Sequence, residues 1–170
     1  IKQGDKITKV NVKGAQMKNG SSYAAFHPSG RYIAFSANEI QQFFHSTGPK
    51  AVEVSDLESD LLVYDVEKNR ILTDSVIAGS QFMETFPNWS PDGTRLYFCR
   101  TGAYAKGMPL DSIRYDLFSI SFDPDTQHFG TPECVYNASS KGKSVSFPRV
   151  SPDGKYLMFT QSDYGNFSIW

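Results

Sequence analysis

A segment of 16 residues recurs three times in this chain and constrains its fold more than any other feature of the sequence. Residues 23–38 are YAAFHPSGRYIAFSAN, residues 86–101 are FPNWSPDGTRLYFCRT, and residues 147–162 are FPRVSPDGKYLMFTQS. Each copy has an aromatic residue, a turn containing proline and glycine, and a short apolar run. The copies begin 63 and 61 residues apart (23 to 86 and 86 to 147), so the chain is built from a repeated unit.

The centre of each copy predicts a tight β-hairpin. The turns are Pro28–Gly30, Pro91–Gly93 and Pro152–Gly154. Proline fixes φ near about −65°, and glycine supplies the positive φ that such a turn requires. The apolar runs that follow are Tyr32–Phe35, Leu96–Cys99 and Tyr156–Phe159. Because these runs are apolar at consecutive positions, we expect strands that are buried on both faces.

Further strands follow each hairpin. The candidate third strands are Leu61–Val66, Leu117–Phe122 and Phe167–Trp170, and the candidate fourth strands are Arg70–Asp74 and Glu133–Tyr136. A four-stranded antiparallel meander that repeats in this way is typical of a β-propeller blade. The sequence therefore predicts an all-β fold, an open portion of a β-propeller with four-stranded antiparallel blades.

The repeat divides residues 1–170 into parts of one partial propeller. Residues 1–20 fit the outer strand of a preceding blade, with the strand itself at 6–14; residues 21–82 and 83–145 are two blades, and 146–170 are an incomplete third. Closed propellers have about four to eight blades, so three leave two apolar flanks uncovered. We expect the rest of the propeller or a second chain to cover them.

Net charge, hydropathy and cysteine positions give no reason to expect a nucleic-acid partner, a membrane span or a disulfide bond. The net charge of −1 gives no reason to expect a nucleic-acid partner, and no apolar run is long enough to span a membrane. Cys99 and Cys134 fall on the second and fourth strands of one blade. Two strand spacings separate them by roughly 9–10 Å, and a disulfide needs Cα atoms within about 7 Å, so we predict two free thiols.

The second copy of the repeat resembles a known family. Residues 89–98, WSPDGTRLYF, are similar to the TolB-like propeller repeat, and all three units share the pattern. The same repeat occurs in propellers of prolyl-oligopeptidase-type peptidases and in periplasmic lipoproteins with OmpA-like domains. The resemblance implies a periplasmic or outer-membrane-associated protein with a protein or peptidoglycan-associated partner. His27 in place of serine and the long second-to-third-strand connections depart from the family pattern.

The residues that usually carry catalysis form no recognisable constellation. The sequence has no Gly-x-Ser-x-Gly elbow, no metal-ligand spacing of histidine and cysteine and no glycine-rich phosphate loop. We therefore expect no catalytic residue, no cofactor and no metal. Whether calcium binds near the alternating carboxylates Asp56, Glu58 and Asp60 is left undecided by the sequence.

One face of the predicted propeller carries the candidate binding residues. The insertions at 38–59 and 102–115 occupy the same connection in neighbouring blades, so they should stand side by side. They supply the candidates Phe43, Phe44, His45, Tyr104 and Tyr115. Glu84 and Lys143 precede first strands and are expected at the mouth of the central channel. Aromatic side chains on long loops are typical of interfaces.

Two functions remain open from the sequence. The first is a non-catalytic scaffold of the bacterial cell envelope that binds a protein or cell-wall partner through its loop-rich face. The second is the substrate-gating propeller of a prolyl-oligopeptidase-type serine peptidase, whose catalytic domain would lie elsewhere. A Gly-x-Ser-x-Gly elbow in an adjoining α/β-hydrolase domain would favour the peptidase.

Overall fold

Antiparallel strands make up nearly all the regular structure. A computed structural model describes residues 1–10, 20–41, 55–72, 74–79, 81–103, 105, 107–109, 112–163 and 166–170. Fourteen strands lie within these residues, together with the 3-10 turn Ser139–Lys141. No helix in this part of the chain is long and apolar enough to cross a membrane. A short hairpin of β1 (Lys2–Gln3) and β2 (Lys6–Ile7) opens the chain.

The first blade is a four-stranded antiparallel sheet in sequence order. Its strands are β3 (Gly20–Phe26), β4 (Tyr32–Gln41), β5 (Ser55–Asp65) and β6 (Arg70–Leu72). The predicted meander is confirmed here. The second and third strands are longer than the sequence indicated, because their pairing continues to Gln41 and Ser55.

The second blade has the same plan with a divided outer strand. Its strands are β7 (Glu84–Trp89), β8 (Arg95–Thr101), β9 (Tyr115–Asp123), β10 (His128–Phe129) and β11 (Glu133–Tyr136). Both β10 and β11 pair with β9, at opposite ends of that strand. Because β9 separates β8 from β11, Cys99 and Cys134 do not meet. Both cysteines are free, as predicted.

The third blade contributes three strands. They are β12 (Ser144–Val150), β13 (Leu157–Asp163) and β14 (Asn166–Ile169), paired in that order. First strands of successive blades lie against each other, β3 on β7 and β7 on β12. The first strand is therefore the innermost strand of each blade, as in a propeller.

Each first strand contains a bulge that turns an aromatic side chain inward. Tyr23, Phe86 and Phe147 have φ values of 56°, 54° and 52°, and the pairing with the second strand shifts register at each of them. Bulky residues rarely adopt this left-handed conformation. The three rings pack together, with centroids 4.4 Å apart for Tyr23–Phe86 and for Phe86–Phe147. We call them the axial aromatic cluster.

The turns of the first two blades touch across the seam between the sheets. Gly93 has a φ of 74°, and a Cβ there would lie 2.3 Å from Nε2 of His27, so only glycine fits. The Ser29 amide donates to Nδ1 of His27, and Nε2–H donates to the Gly93 carbonyl at 3.0 Å. Burial lowers the pKa of His27, although the Gly93 carbonyl opposes this, so the imidazole is neutral.

The seam between the first and second blades holds the largest core. Its fully or nearly fully buried members are Tyr32, Ala34, Leu61, Val63, Leu72, Ile77, Trp89, Leu96, Phe98, Ile120, Phe122 and Phe129. Alternate residues of β4 supply Tyr32 and Ala34 to this seam. The residue that follows each of them, Ile33 and Phe35 respectively, faces the other way. The doubly apolar second strands thus stack one sheet on the next.

A side-chain network also links the same two blades, at the start of β4, the end of β5 and the turn after β9. Gln127, in the turn between β9 and β10, donates to the Asp65 carboxylate at 2.7 Å and to the Tyr32 hydroxyl at 3.2 Å. Arg31 donates to Asp65 at 3.0 Å. Burial raises the pKa of Asp65, but its bonds from Arg31, Lys68 and Gln127 outweigh burial and lower it. Asp65 is therefore a fully buried, ionised junction between the blades.

The outward flank of the first blade is covered, which differs from the expectation of two open flanks. Ile33, Phe35, Leu62 and Tyr64 are buried, and Ile1 and Val10 pack on them. The hairpin at residues 1–10 thus supplies apolar cover for this flank. Lys6–Ile7 pairs with Lys2–Gln3, and residues 11–14 of the predicted strand at 6–14 lie outside the described residues, so its place in a preceding blade stays a prediction.

Trp89 allows a test of the seam. The side chain is 5% exposed between His27 and Phe122, whereas Trp170 is 61% exposed. We expect Trp89→Ala to lower the free energy of unfolding by about 3–5 kcal/mol, because it leaves a cavity in the core. Trp170→Ala, the matched control, should cost under about 1 kcal/mol. Denaturant melts of both variants measure this, and equal losses would contradict the seam.

Candidate functional site

The long connections of the first two blades emerge on one side. β4 and β8 each begin at a short turn and run away from it. The connection that follows each strand therefore leaves its sheet at the end opposite the short turn, and this is the same end in both sheets. Pairing of β4 with β5 shortens the first connection to residues 42–54, and the second spans 102–114. We call this end of the sheets the insertion side and the end with the Pro-Asp-Gly turns the turn side.

The predicted binding residues are described only in part. Phe43, Phe44, His45 and Tyr104 lie outside the described residues. Tyr115 opens β9 and is half-buried, and its amide donates to the Ser144 hydroxyl oxygen at 3.0 Å.

Lys143 is also half-buried, and its amide donates to the Ala138 carbonyl at 3.1 Å. It stands directly before β12, the innermost strand of the third blade. Lys143 and Tyr115 therefore lie where the second and third blades meet on the insertion side.

Glu84 differs from the expectation of a charge exposed at the channel mouth. It is 1% exposed, at the start of β7. The Ser59 hydroxyl of the first blade donates to its backbone carbonyl at 2.6 Å. The first blade therefore covers Glu84, which becomes part of the seam.

Small polar residues surround Glu84 and form a layer at the insertion end of the seam. The members of this polar layer are Ser36, Asn38, Ser59, Glu84 and Thr85, none more than 1% exposed. Ser36 and Thr85 hydroxyls lie 3.2 Å apart across the two blades, and Ser22 donates to Asn38 at 3.1 Å. The sequence analysis missed this layer, although the change from Tyr32–Phe35 to Ser-Ala-Asn at residues 36–38 marks where the apolar strand turns polar.

The Glu84 carboxyl is neutral near pH 7. Burial, followed by the nearby Asp60, raises its pKa to about 8 against the opposing effect of Arg100. Oε2 has no hydrogen-bond partner within the described residues. The Arg100 guanidinium instead lies over the rings of Phe82 and Phe118, at 4.4 and 3.9 Å from their centroids. A protonated carboxyl costs less to bury than a charged one.

The carboxylates in the first half of β5 do not build a metal site in the described part of the chain. Asp60 is half-buried, Glu58 is exposed, and burial followed by the proximity of Glu58 raises the pKa of Asp60. Nothing is described of the Asp56 side chain. Among the residues described, no three histidine, cysteine or acidic side chains are grouped so that they could hold a metal ion.

A cleft of about 270 Å³ opens on the insertion side of the second blade. Thr101, Met108, Ile113, Arg114 and Ser139 are among the residues that line it. Arg114 donates to the Gly142 carbonyl at 3.3 Å, which ties the insertion to the connection into the third blade. The cleft combines apolar walls with polar groups.

Several solved structures resemble this fold. The putative TolB from Agrobacterium tumefaciens is 18% identical with a TM-score of 0.55, and the match covers 89% of this chain and 42% of that chain. TolB from Acinetobacter baumannii is 13% identical (TM-score 0.44; 89% and 40% covered). Kuenenia stuttgartiensis hydrazine synthase is 12% identical (TM-score 0.45; 83% and 39% covered).

The likeness to the Agrobacterium protein shows a TolB-like propeller fold. The chain spans less than half the length of each of these three structures. No family model matches the sequence, and no curated protein matches it significantly. The fold is therefore shared at low sequence identity.

Glu84 gives the seam a dependence on pH. Its folded pKa of about 8 lies above the ordinary value of 4.5, so the unfolded chain binds fewer protons between these values. Stability should therefore fall as pH rises from about 4.5 to about 8. Glutamine stays neutral at every pH. The free energy of unfolding of Glu84→Gln should therefore rise relative to that of the parent by about 1 kcal/mol or more as pH increases across that range.

Urea melts at several pH values measure this gain. Glu133→Gln is the matched control, because the Glu133 side chain is 68% exposed, and it should keep the pH slope of the parent. Parallel profiles for Glu84→Gln and the parent would show that Glu84 is ionised in the folded state.

Proposed function

We propose that this chain is part of a non-catalytic propeller scaffold of the bacterial cell envelope that binds its partner through the insertion side. The partner is a protein or a component associated with peptidoglycan. The observation that carries the proposal is the placement of both long connections on one side of neighbouring blades. Long loops on a rigid sheet scaffold are where recognition usually lies.

The contrast between the two sides of the sheets supports the choice of face. The turn side offers the compact Pro-Ser-Gly and Pro-Asp-Gly turns, whose polar groups are largely used in bonds within each turn. The insertion side offers the cleft beside Met108 and Arg114 and the two connections. A partner therefore meets more side-chain surface on the insertion side.

The anchors we propose are aromatic, with charge beside them. Phe43, Phe44, His45 and Tyr104 lie on the two connections, and Tyr115 stands at the end of the second. Aromatic residues supply much of the binding energy at interfaces. Lys143 would contribute charge to the binding surface. Glu84 would not contact the partner but would hold the first strand of the second blade in place below that surface.

The envelope location rests on the TolB-like fold and on the repeat. A scaffold without catalysis is consistent with the described residues, in which the buried hydroxyls of Ser36, Ser59 and Thr85 bond within the seam. We favour this function over a peptidase-gating propeller, because no feature of the described residues points to a peptidase partner domain.

The proposal predicts that the connections are needed for binding and not for folding. Residues 42–54 and 102–114 would each be replaced by a four-residue turn in the complete natural polypeptide. The fold should survive, since loop entropy changes slowly with length. Pelleting with purified peptidoglycan and affinity capture from an envelope extract should both lose the binding shown by the parent.

A turn-side variant is the control. Lys155→Glu changes an exposed charge beside the third turn and should leave both assays unchanged. If the shortened protein is folded and still binds, while Lys155→Glu does not, the binding surface lies on the turn side and the proposal is wrong.

A further inference from the structure

The side chain of His27 bonds differently from the residues that occupy its position in the other copies of the repeat. Those residues are Ser90 in the second copy and Ser151 in the third. Each serine hydroxyl stays within its own turn, where it accepts a hydrogen bond from the amide five positions ahead and donates to an aspartate. The His27 ring instead crosses the seam and bonds to Gly93 in the turn of the second blade.

Close contact between neighbouring turns is confined to the first seam of the described blades. A Cβ on Gly93 would lie 2.3 Å from Nε2 of His27. At Gly154, the equivalent residue of the third turn, the nearest atom would be Cδ of Pro91, 4.0 Å away in the second turn. The imidazole therefore joins the first two turns in a way that the described turns of the second and third blades do not share.

Two backbone groups fix the position of the proton on His27. The Ser29 amide can only donate, and it lies 3.1 Å from Nδ1, so Nδ1 carries no proton. The Gly93 carbonyl can only accept, and it lies 3.0 Å from Nε2, so Nε2 carries the proton. A second proton on the ring would occupy the Nδ1 lone pair, and the Ser29 amide would lose this acceptor.

The apolar surroundings of the ring also favour its neutral form. Tyr32, Trp89 and Phe122 meet the imidazole edge-on, with centroids 5.4, 4.9 and 6.1 Å away. The residue is 5% exposed. Burial lowers the pKa of His27, and the bond to the Gly93 carbonyl opposes this effect without overcoming it. A charged ring therefore costs more to bury here than a neutral one.

The charged and titratable groups near His27 are bonded elsewhere. Arg31, directly before β4, is held by Asp65. The Asp92 carboxylate in the facing turn accepts hydrogen bonds within that turn. The Tyr32 phenol donates to a backbone carbonyl of the second blade. Among the described residues no carboxylate forms an ion pair with His27, so an imidazolium would have no counter-charge in contact with it.

Ser29 is a second departure of the first copy, and it stands where the other copies have Asp92 and Asp153. Those aspartates accept the amide two positions ahead with their carboxylates. The Ser29 hydroxyl accepts the corresponding Arg31 amide at 3.2 Å, and it also lies 2.8 Å from Nδ1 of His27. A carboxylate at this position would therefore lie beside Nδ1 and stabilise the imidazolium, which the serine cannot do.

We propose that His27 and Ser29 form a pH-sensitive latch between the turns of the first and second blades, closed while the imidazole is neutral and released when Nδ1 takes up a proton. Release deprives the Ser29 amide of its acceptor and leaves a charge among three aromatic rings. The latch lies on the turn side of the seam. The proposal therefore does not depend on the partner of the insertion side.

The latch gives the seam a pH dependence opposite in sign to that of Glu84. The folded pKa of His27 lies below the ordinary value of 6.5, so the unfolded chain binds more protons just below that pH. The contribution of the latch to stability is complete above about pH 6.5 and is lost as pH falls from there toward the folded pKa.

Titration of His27 in the folded protein tests the latch directly. Its imidazole resonances are assigned by their absence from His27→Gln and followed by NMR from about pH 8 to about pH 4. The midpoint should lie below that of the same residue in the urea-unfolded protein. Ser29→Asp should raise the folded midpoint, because it places a carboxylate beside Nδ1. A folded midpoint of the parent at or above the unfolded one would overturn the proposal.

Urea melts measure the effect of the latch on stability. Glutamine at position 27 keeps an N–H for the Gly93 carbonyl and takes up no proton. Between about pH 7 and about pH 5, the urea midpoint of the parent should fall by about 0.5 M or more relative to that of His27→Gln. Both proteins contain Glu84, so its contribution cancels in this comparison.

Two further variants separate the charge of the ring from other effects of substitution. Ser29→Asp should remove at least about half of the relative fall in the urea midpoint, because the imidazolium then has a counter-charge. Asp153→Ser is the matched control: it makes the reverse exchange in a turn without histidine and should keep the fall shown by the parent.

Parallel midpoints for the parent and His27→Gln would mean that protonation does not weaken the seam. An undiminished fall in Ser29→Asp would mean that the residue at position 29 does not govern the charge of the ring. Either result would overturn the proposal. If His27→Gln does not fold, the NMR titration of the parent and of Ser29→Asp still decides it, with the three histidines of the chain assigned through their own substitutions.

Discussion

Stacking of one sheet on the next is the interaction on which the rest of this structure depends. Tyr32 and Ala34 of the second strand enter the core between the first two blades, while Ile33 and Phe35 face outward. A strand that is apolar on both sides has no solvent face, so every blade needs cover on two sides. Residues 1–10 cover the outward flank of the first blade. The third blade needs the same cover on its side away from the second blade.

The axis of the propeller depends on backbone conformations that cost energy. Tyr23, Phe86 and Phe147 occupy the left-handed region, at a cost on the order of 1–3 kcal/mol each. Packing of the three rings on one another offsets this cost, and each bulge aims its ring inward. The same bulges separate two parts of each first strand. In the second blade the part that leads to the turn ends in the buried Trp89, and the part at the insertion side holds the buried polar residues Glu84 and Thr85.

The first seam is divided between an apolar turn side and a polar insertion side. The turn side of the seam is closed by Trp89, His27 and the Gly93 carbonyl. The insertion side ends in a layer of buried hydroxyl, amide and carboxyl groups around Glu84. Such groups hold the blades in register without a continuous apolar surface. The connections above this layer can therefore vary in length and sequence while the sheets beneath them stay fixed.

The sequence by itself determined the turns, the strands that flank them, their order in each blade and the separation of Cys99 from Cys134, because these follow from local chemistry and a period of two. It also placed the two long connections on one side. Tertiary structure decided the rest of the candidate site: Glu84 is buried and neutral, and Ser36 and Ser59 join it in one layer. Burial and electrostatics at Glu84 arise from residues of another blade, far away in the chain, and no local pattern records that contact.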